Sequence, residues 1–344
     1  MRLLDRVAHC HSPTVLAIDG PQTSIEVAGP SRCAAQVAHC PLRFVLGDDL
    51  TRASAELAFA DGARLGGCLD LLRLPAPQLW IEWNDAVYQR VIDETQGASD
   101  LDPNASGRRV GVLLHASADG LRAVGRTFWA DAANGDIGEV TMSPLETHLD
   151  LRGEFVGMSD GNGSDIFRGG LAGVTDRTDA AMASILDHVR FRFDNSWLAY
   201  YRAAATTPEA ERRVVYGSLA AIARDTPFLL AFFLLLTAKD ATRTIPICRT
   251  AINRKRIAHG HAPLLDHVEV RASLEELDIA EPNGNDIAGR QSPRLHHVRG
   301  HLVRRDQRVF WRVPHLRGSA CRGMVRSRTV CLSFARGRDT EARI

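Results

Sequence analysis

At 344 residues, with 45% hydrophobic and 24% charged side chains, the chain has the make-up of a globular protein with a real core, which excludes disordered and fibrous classes. Its net charge of +1 is a balance of opposites: residues 290–344 hold fourteen Arg against three acids, which leaves residues 1–289 at −10. A basic end on an acidic body points to a polyanion as the partner of that end. Lys239 and Lys255 are the only lysines, so the Arg total reflects coding bias more than function. The clustering of Arg away from acids carries the information.

In chain order, Val15–Asp19 and Ser24–Val27 read as a hairpin across Gly20-Pro21, and Asp49–Ala60 has helical spacing. Leu79–Trp83 alternates as a short strand with Leu79, Ile81 and Trp83 on one face. Glu82 then reads as a surface carboxylate on an edge strand. Arg109–His115 and Leu121–Trp129 flank the turn Ser117–Gly120 and predict a second hairpin, extended by Glu139–Met142 and Thr147–Leu151. Residues 156–179 are rich in Gly, Asp and Ser and read as a loop or linker. Within it, Ser159–Asp165 has oxygen ligands of calcium-loop type but lacks the bidentate Glu such a loop requires.

Helices are predicted from Thr178 to His188, after the caps Thr206-Thr207 at Pro208, and from Thr226-Pro227. The run Phe228–Leu236 is apolar on every side, as expected of a helix at the centre of a core, and is shorter than the roughly 20 residues that span a bilayer. Thr250–His259 is a short basic segment stopped by Gly260, and Leu264–Ala272 is a strand. Residues 281–293 form a loop. His297–Arg304 and Arg308–Val313 predict a hairpin across Arg305–Gln307, with Met324–Phe334 as a third strand.

The expected class is α+β: an antiparallel N-terminal sheet unit over residues 1–155, the 156–179 linker, a helical layer over 180–280, and a basic β-rich region over 281–344. Seven scattered cysteines, odd in number and without a Cys-x-x-Cys pair, read as reduced thiols. With no apolar leader after Met1, the expected location is the cytoplasm, with no membrane partner.

The densest set of chemically capable side chains lies near the carboxyl end. On a strand, His297, Arg299 and His301 share a face, and Arg312 across the turn would add to a cationic surface for a phosphodiester. Arg299, Arg304, Arg312 and Arg317 are therefore expected to contact phosphate, with Trp311 stacking on a base. Arg254 and Arg256, in Asn253–Arg256 beside His259-Gly-His261, form a second basic patch. A helix C-terminus whose cations complement the dipole accounts for it equally well. The leading function is binding of RNA or DNA. The alternatives are a metal-independent phosphodiesterase, with His297, His301 and His315 moving protons, and a protein that blocks a host factor. Zinc is not expected, because His297 and His301 lie roughly 13 Å apart along a strand. No cofactor is expected either: Gly-x-Gly-x-x-Gly, the phosphate loop, Gly-x-Ser-x-Gly and His-Glu-x-x-His are all missing from the sequence.

Three stretches carry a resemblance: Leu74–Trp83; Leu234–Thr237 with Ile252–Leu265; and Ser292–His301 with Phe310–Gly318. Together they resemble a group of uncharacterised phage and prophage-encoded proteins, over roughly residues 70–335. His259 and His261 stand where that group carries Lys or Arg. The resemblance implies a mobile-element setting in a bacterial cytosol and no particular activity.

Overall fold

The computed structural model describes residues 2–18, 23–96, 107–130, 139–155, 166–168, 185–205, 207–273, 294–298, 301–305, 308–312, 315–317 and 319–324. The protein is α+β. It divides into two compact units, one of residues 1–273 with 302–311 and a smaller one of 274–301 with 312–344.

The larger unit is built on a nine-stranded sheet. In chain order its strands are β3 (Leu42–Leu46), β4 (Gln78–Asn84), β5 (Arg109–Ala116), β6 (Arg122–Ala130), β7 (Val140–Asp150), β8 (Ile166–Arg168), β9 (Val189–Phe193), β10 (Thr242–Ile247) and β11 (His267–Ala272). Their spatial order is β10-β11-β3-β4-β5-β6-β7-β9-β8. β4, β5, β6, β7 and β9 pair antiparallel in turn, with β5 and β6 forming the hairpin that alternation and turn residues predict. The sheet is not purely antiparallel, however. β3 lies parallel to both β4 and β11, because helices carry the chain back over one face between those strands. Nor does it end near residue 155, since β9, β10 and β11 join it.

Period-two alternation sorts the two faces. Phe44, Leu46, Leu79, Ile81, Trp83, Val112, Leu114, Leu145, Phe191 and Phe193 point one way into the main core. They meet helices α3 (Asp48–Ala60), α5 (Asp85–Gln96), α7 (Pro208–Ala223) and α8 (Asp225–Thr237). Every residue from Asp225 to Leu235 is buried, as an all-round apolar helix demands. Residues 208–237 are long and apolar enough to cross a membrane by length and composition, but 76% of their apolar 18-residue stretch is buried within the fold. Thr207 caps α7, accepting from the Ala210 N–H at 3.2 Å.

On the opposite face, Val45, Trp80, Leu113, Phe128 and Met142 meet α1 (Leu3–Ala8) and α2 (Ala34–Ala38). The predicted N-terminal hairpin forms from β1 (Thr14–Ile18) and β2 (Thr23–Val27). Glu82 departs from expectation. It is fully buried on a central strand, where its two oxygens accept the backbone N–H groups of Leu3 at 3.2 Å and Leu4 at 3.0 Å, and also take the guanidinium of Arg109. A carboxylate at the first turn satisfies orphan donors and meets the positive end of the helix.

Further along this face the sheet is polar. Glu146 on β7 takes Arg126 at 2.6 Å, the Nε of Arg192 at 2.8 Å and His148 at 3.3 Å. The His148 bond and the two guanidinium groups hold its carboxyl at about 2, against an ordinary 4.5. A depressed carboxylate pKa adds stability above pH 4.5, and that stability is lost as pH falls through about 2. Glu146→Gln is expected to cost on the order of 1–2 kcal/mol at pH 7, allowing for partial solvent screening. The gap should close on acid titration. An equal gap at pH 2 and pH 7 in denaturant melts would show that the charge does not contribute.

The carboxyl-terminal strands are β12 (Arg294–Val298), β13 (His301–Arg305), β14 (Arg308–Arg312), β15 (His315–Arg317) and β16 (Ser319–Met324). β13 pairs with β14 alone, while β12 joins β15 and β16 in a separate three-stranded sheet. The expected strand 297–304 is thus two strands, β12 and β13, in different sheets. The predicted helix from Thr178, the 281–293 loop and the 324–334 strand lie wholly or mostly outside the described residues.

Candidate nucleic-acid interface

β10 is the edge of the large sheet, and between it and β11 the chain makes helix α9 (Thr250–Ala258). This helix buries none of its residues, and Ile252 and Ile257 are 44% and 61% exposed. Polar contacts hold it instead of an apolar face. The Asn253 side chain donates to the Leu264 carbonyl and accepts the Leu264 N–H, both at 2.8 Å. The Arg256 Nε donates to the Ala262 carbonyl at 2.9 Å. Gly260, at φ +72°, ends the helix in the left-handed conformation that glycine adopts without strain. Asp266 accepts the backbone N–H of Arg249 at 2.5 Å and so fixes where the helix begins.

From Ala241 to Leu265 the sequence contains no Asp or Glu, yet it holds Arg243, Arg249, Arg254, Lys255, Arg256, His259 and His261. Among the described residues, none of the five Arg and Lys side chains reaches a carboxylate within ion-pair distance. Arg254, Lys255, His259 and His261 are exposed. The segment is therefore a projecting, uncompensated cationic surface, which both attracts and can grip phosphate. The acid-free run was legible in the sequence, but not its projection, because a short helix normally lends one face to the core.

The carboxyl-terminal candidates are placed less uniformly. Arg304 is engaged: its guanidinium forms a two-pronged pair with Asp70, at 2.8 and 2.9 Å, and also donates to the Gly67 carbonyl at 2.6 Å. Trp311 is half-buried against the main core, beside the buried Leu302 and Val309. Its indole thus has packing partners already. Arg312 is exposed. In the three-stranded sheet, His296 stands opposite Arg317, His297 opposite Leu316 and Val298 opposite His315. His297 and His315 are thus out of register by one. His301 opens β13, in another sheet. Arg299 lies outside the described residues, and no group of three metal-binding side chains exists among the described ones.

Sequence reading missed a second location altogether. Asp85, Tyr88 and Asp225 line a cavity between the helices and β5–β7. They are far apart in the chain and belong to no motif, so only the fold brings them together.

No family model, no curated protein and no solved structure matches this chain.

Proposed function

We propose that the protein binds nucleic acid through phosphate contacts, led by helix α9 and its following turn. The observation that carries this reading is the twenty-five-residue run without an acid, displayed on a helix that contributes nothing to the core. Ordering such a helix costs conformational entropy that no apolar burial returns, so its polar clamps serve to present its surface. Uncompensated cations contact phosphates and carry no base code, which favours sequence-tolerant binding.

The test is a fluorescence anisotropy titration of the whole chain with labelled single-stranded RNA, single-stranded DNA and duplex DNA. With about four phosphate contacts, affinity should fall roughly a hundredfold between about 50 and 200 mM salt. An affinity that stays level over that range refutes the reading.

A further inference from the structure

The cavity noted above has a volume of about 440 Å³ and lies between β5–β7 and helices α5, α7 and α8. Its size suits a small molecule. Two carboxyl groups lie deepest: Asp85 opens α5 and is 3% exposed, and Asp225 opens α8 and is 8% exposed. Asp85 is served from within the fold, accepting the Gln89 amide at 3.2 Å, with the Arg108 guanidinium at 3.7 Å. Asp225 is not. Among the described residues no cation pairs with it, and its neighbours are the Tyr88 hydroxyl and the Asp85 carboxylate. The Tyr88 hydroxyl is itself buried and turned to Asp225, yet it completes no hydrogen bond of good geometry.

With one guanidinium near Asp85 and none paired with Asp225, the two buried carboxyls and the unsatisfied hydroxyl are short of positive donors, an arrangement that costs stability. Burial, then the charge of Asp85, push the Asp225 carboxyl well above its ordinary range. The outer lining has the opposite sign. Arg108 is partly exposed and Arg224 exposed, and the Trp129 ring forms part of the wall. The lining therefore carries both signs, buried carboxyls and more exposed guanidinium groups, together with an aromatic surface.

We propose that this cavity binds a small zwitterion, with a primary ammonium group held by Asp225, Asp85 and Tyr88 and an anionic group facing Arg108 and Arg224. The site is independent of the basic helix and does not rest on the nucleic-acid reading. Because burial and the Asp85 charge raise the Asp225 carboxyl, rising pH favours the ionised form that holds an ammonium, and affinity rises with pH. The other groups facing Asp225 are Asp85 and Tyr88, with Arg108 and Arg224 more exposed.

The probes are 5-aminopentanoate, n-butylammonium and n-butyrate, titrated calorimetrically into the whole protein at several pH values. The expected order is zwitterion first, ammonium weaker, carboxylate undetectable, with the first two tightening as pH is raised. Asp225→Asn should weaken 5-aminopentanoate at least tenfold and flatten the pH dependence of its binding. Ala221→Phe, at an exposed lining position that leaves the acids untouched, should block entry. Butyrate binding as well as butylammonium, no heat from any probe at 10 mM, or unchanged affinity in Ala221→Phe would each overturn the proposal.

Discussion

Reversing Arg254 and Lys255 together to glutamate is expected to weaken nucleic-acid binding by roughly two orders of magnitude at about 0.1 M salt and to lower the salt slope by about two. Each side chain lies exposed on α9 without a carboxylate partner, so each reversal removes a phosphate contact and adds a repulsion. The fold should be unaffected, because α9 buries nothing and its clamps run through Asn253 and Arg256, which the variant keeps. Arg304→Gln supplies the contrast. That guanidinium is already committed to Asp70 and Gly67, so removing its single charge should leave affinity unchanged. A double variant within twofold of wild type would remove α9 from the interface. A large loss in Arg304→Gln would return the interface to β13 and its neighbours.

That contrast also marks where sequence reading succeeds. Local signals carried the strands from Leu79 to Leu149 and the buried helix after Pro227, because each is decided by its own alternation or by its own apolar run. The parallel seams β11-β3-β4 were illegible, since nothing in Leu42–Leu46 announces that it will pair with a strand more than two hundred residues away. Charge was misleading for the same reason. Arg304 belongs to the most basic stretch of the chain, yet its partner Asp70 comes from the other end of the sequence. Net charge along a sequence predicts the surface potential only where the fold brings no opposite charge to it, which is the condition α9 meets and Arg304 does not. The Asp85–Asp225 pair illustrates the limit: an ordinary first-turn acid of one helix becomes unusual only beside the first-turn acid of another.

Glu82→Ala is expected to be the most damaging single substitution, costing about 3–5 kcal/mol in denaturant unfolding. The carboxylate is wholly buried and joins three parts of the structure: the Leu3 and Leu4 N–H groups of α1, the Arg109 guanidinium on β5 and, at 3.4 Å, the Trp80 indole N–H. Truncation leaves a partly buried guanidinium without its counter-charge and two helix N–H groups without an acceptor, and each such loss carries a desolvation penalty. No neighbour can fill the space cheaply. Gly111 opposes Glu82 across the strand pair, and a Cβ there would lie 2.3 Å from the Trp80 ring, so the packing around the carboxylate has no slack. Glu82→Gln should cost less, because the amide oxygen still accepts one helix N–H, and the difference between the two variants measures the charge-dependent part. Since α1 covers Trp80, Leu113 and Phe128, its release should appear as accelerated amide exchange in α1 and β5 before global unfolding. Wild-type stability in Glu82→Ala would mean that the apolar contacts of Leu3, Leu4 and Val7 hold the helix without help.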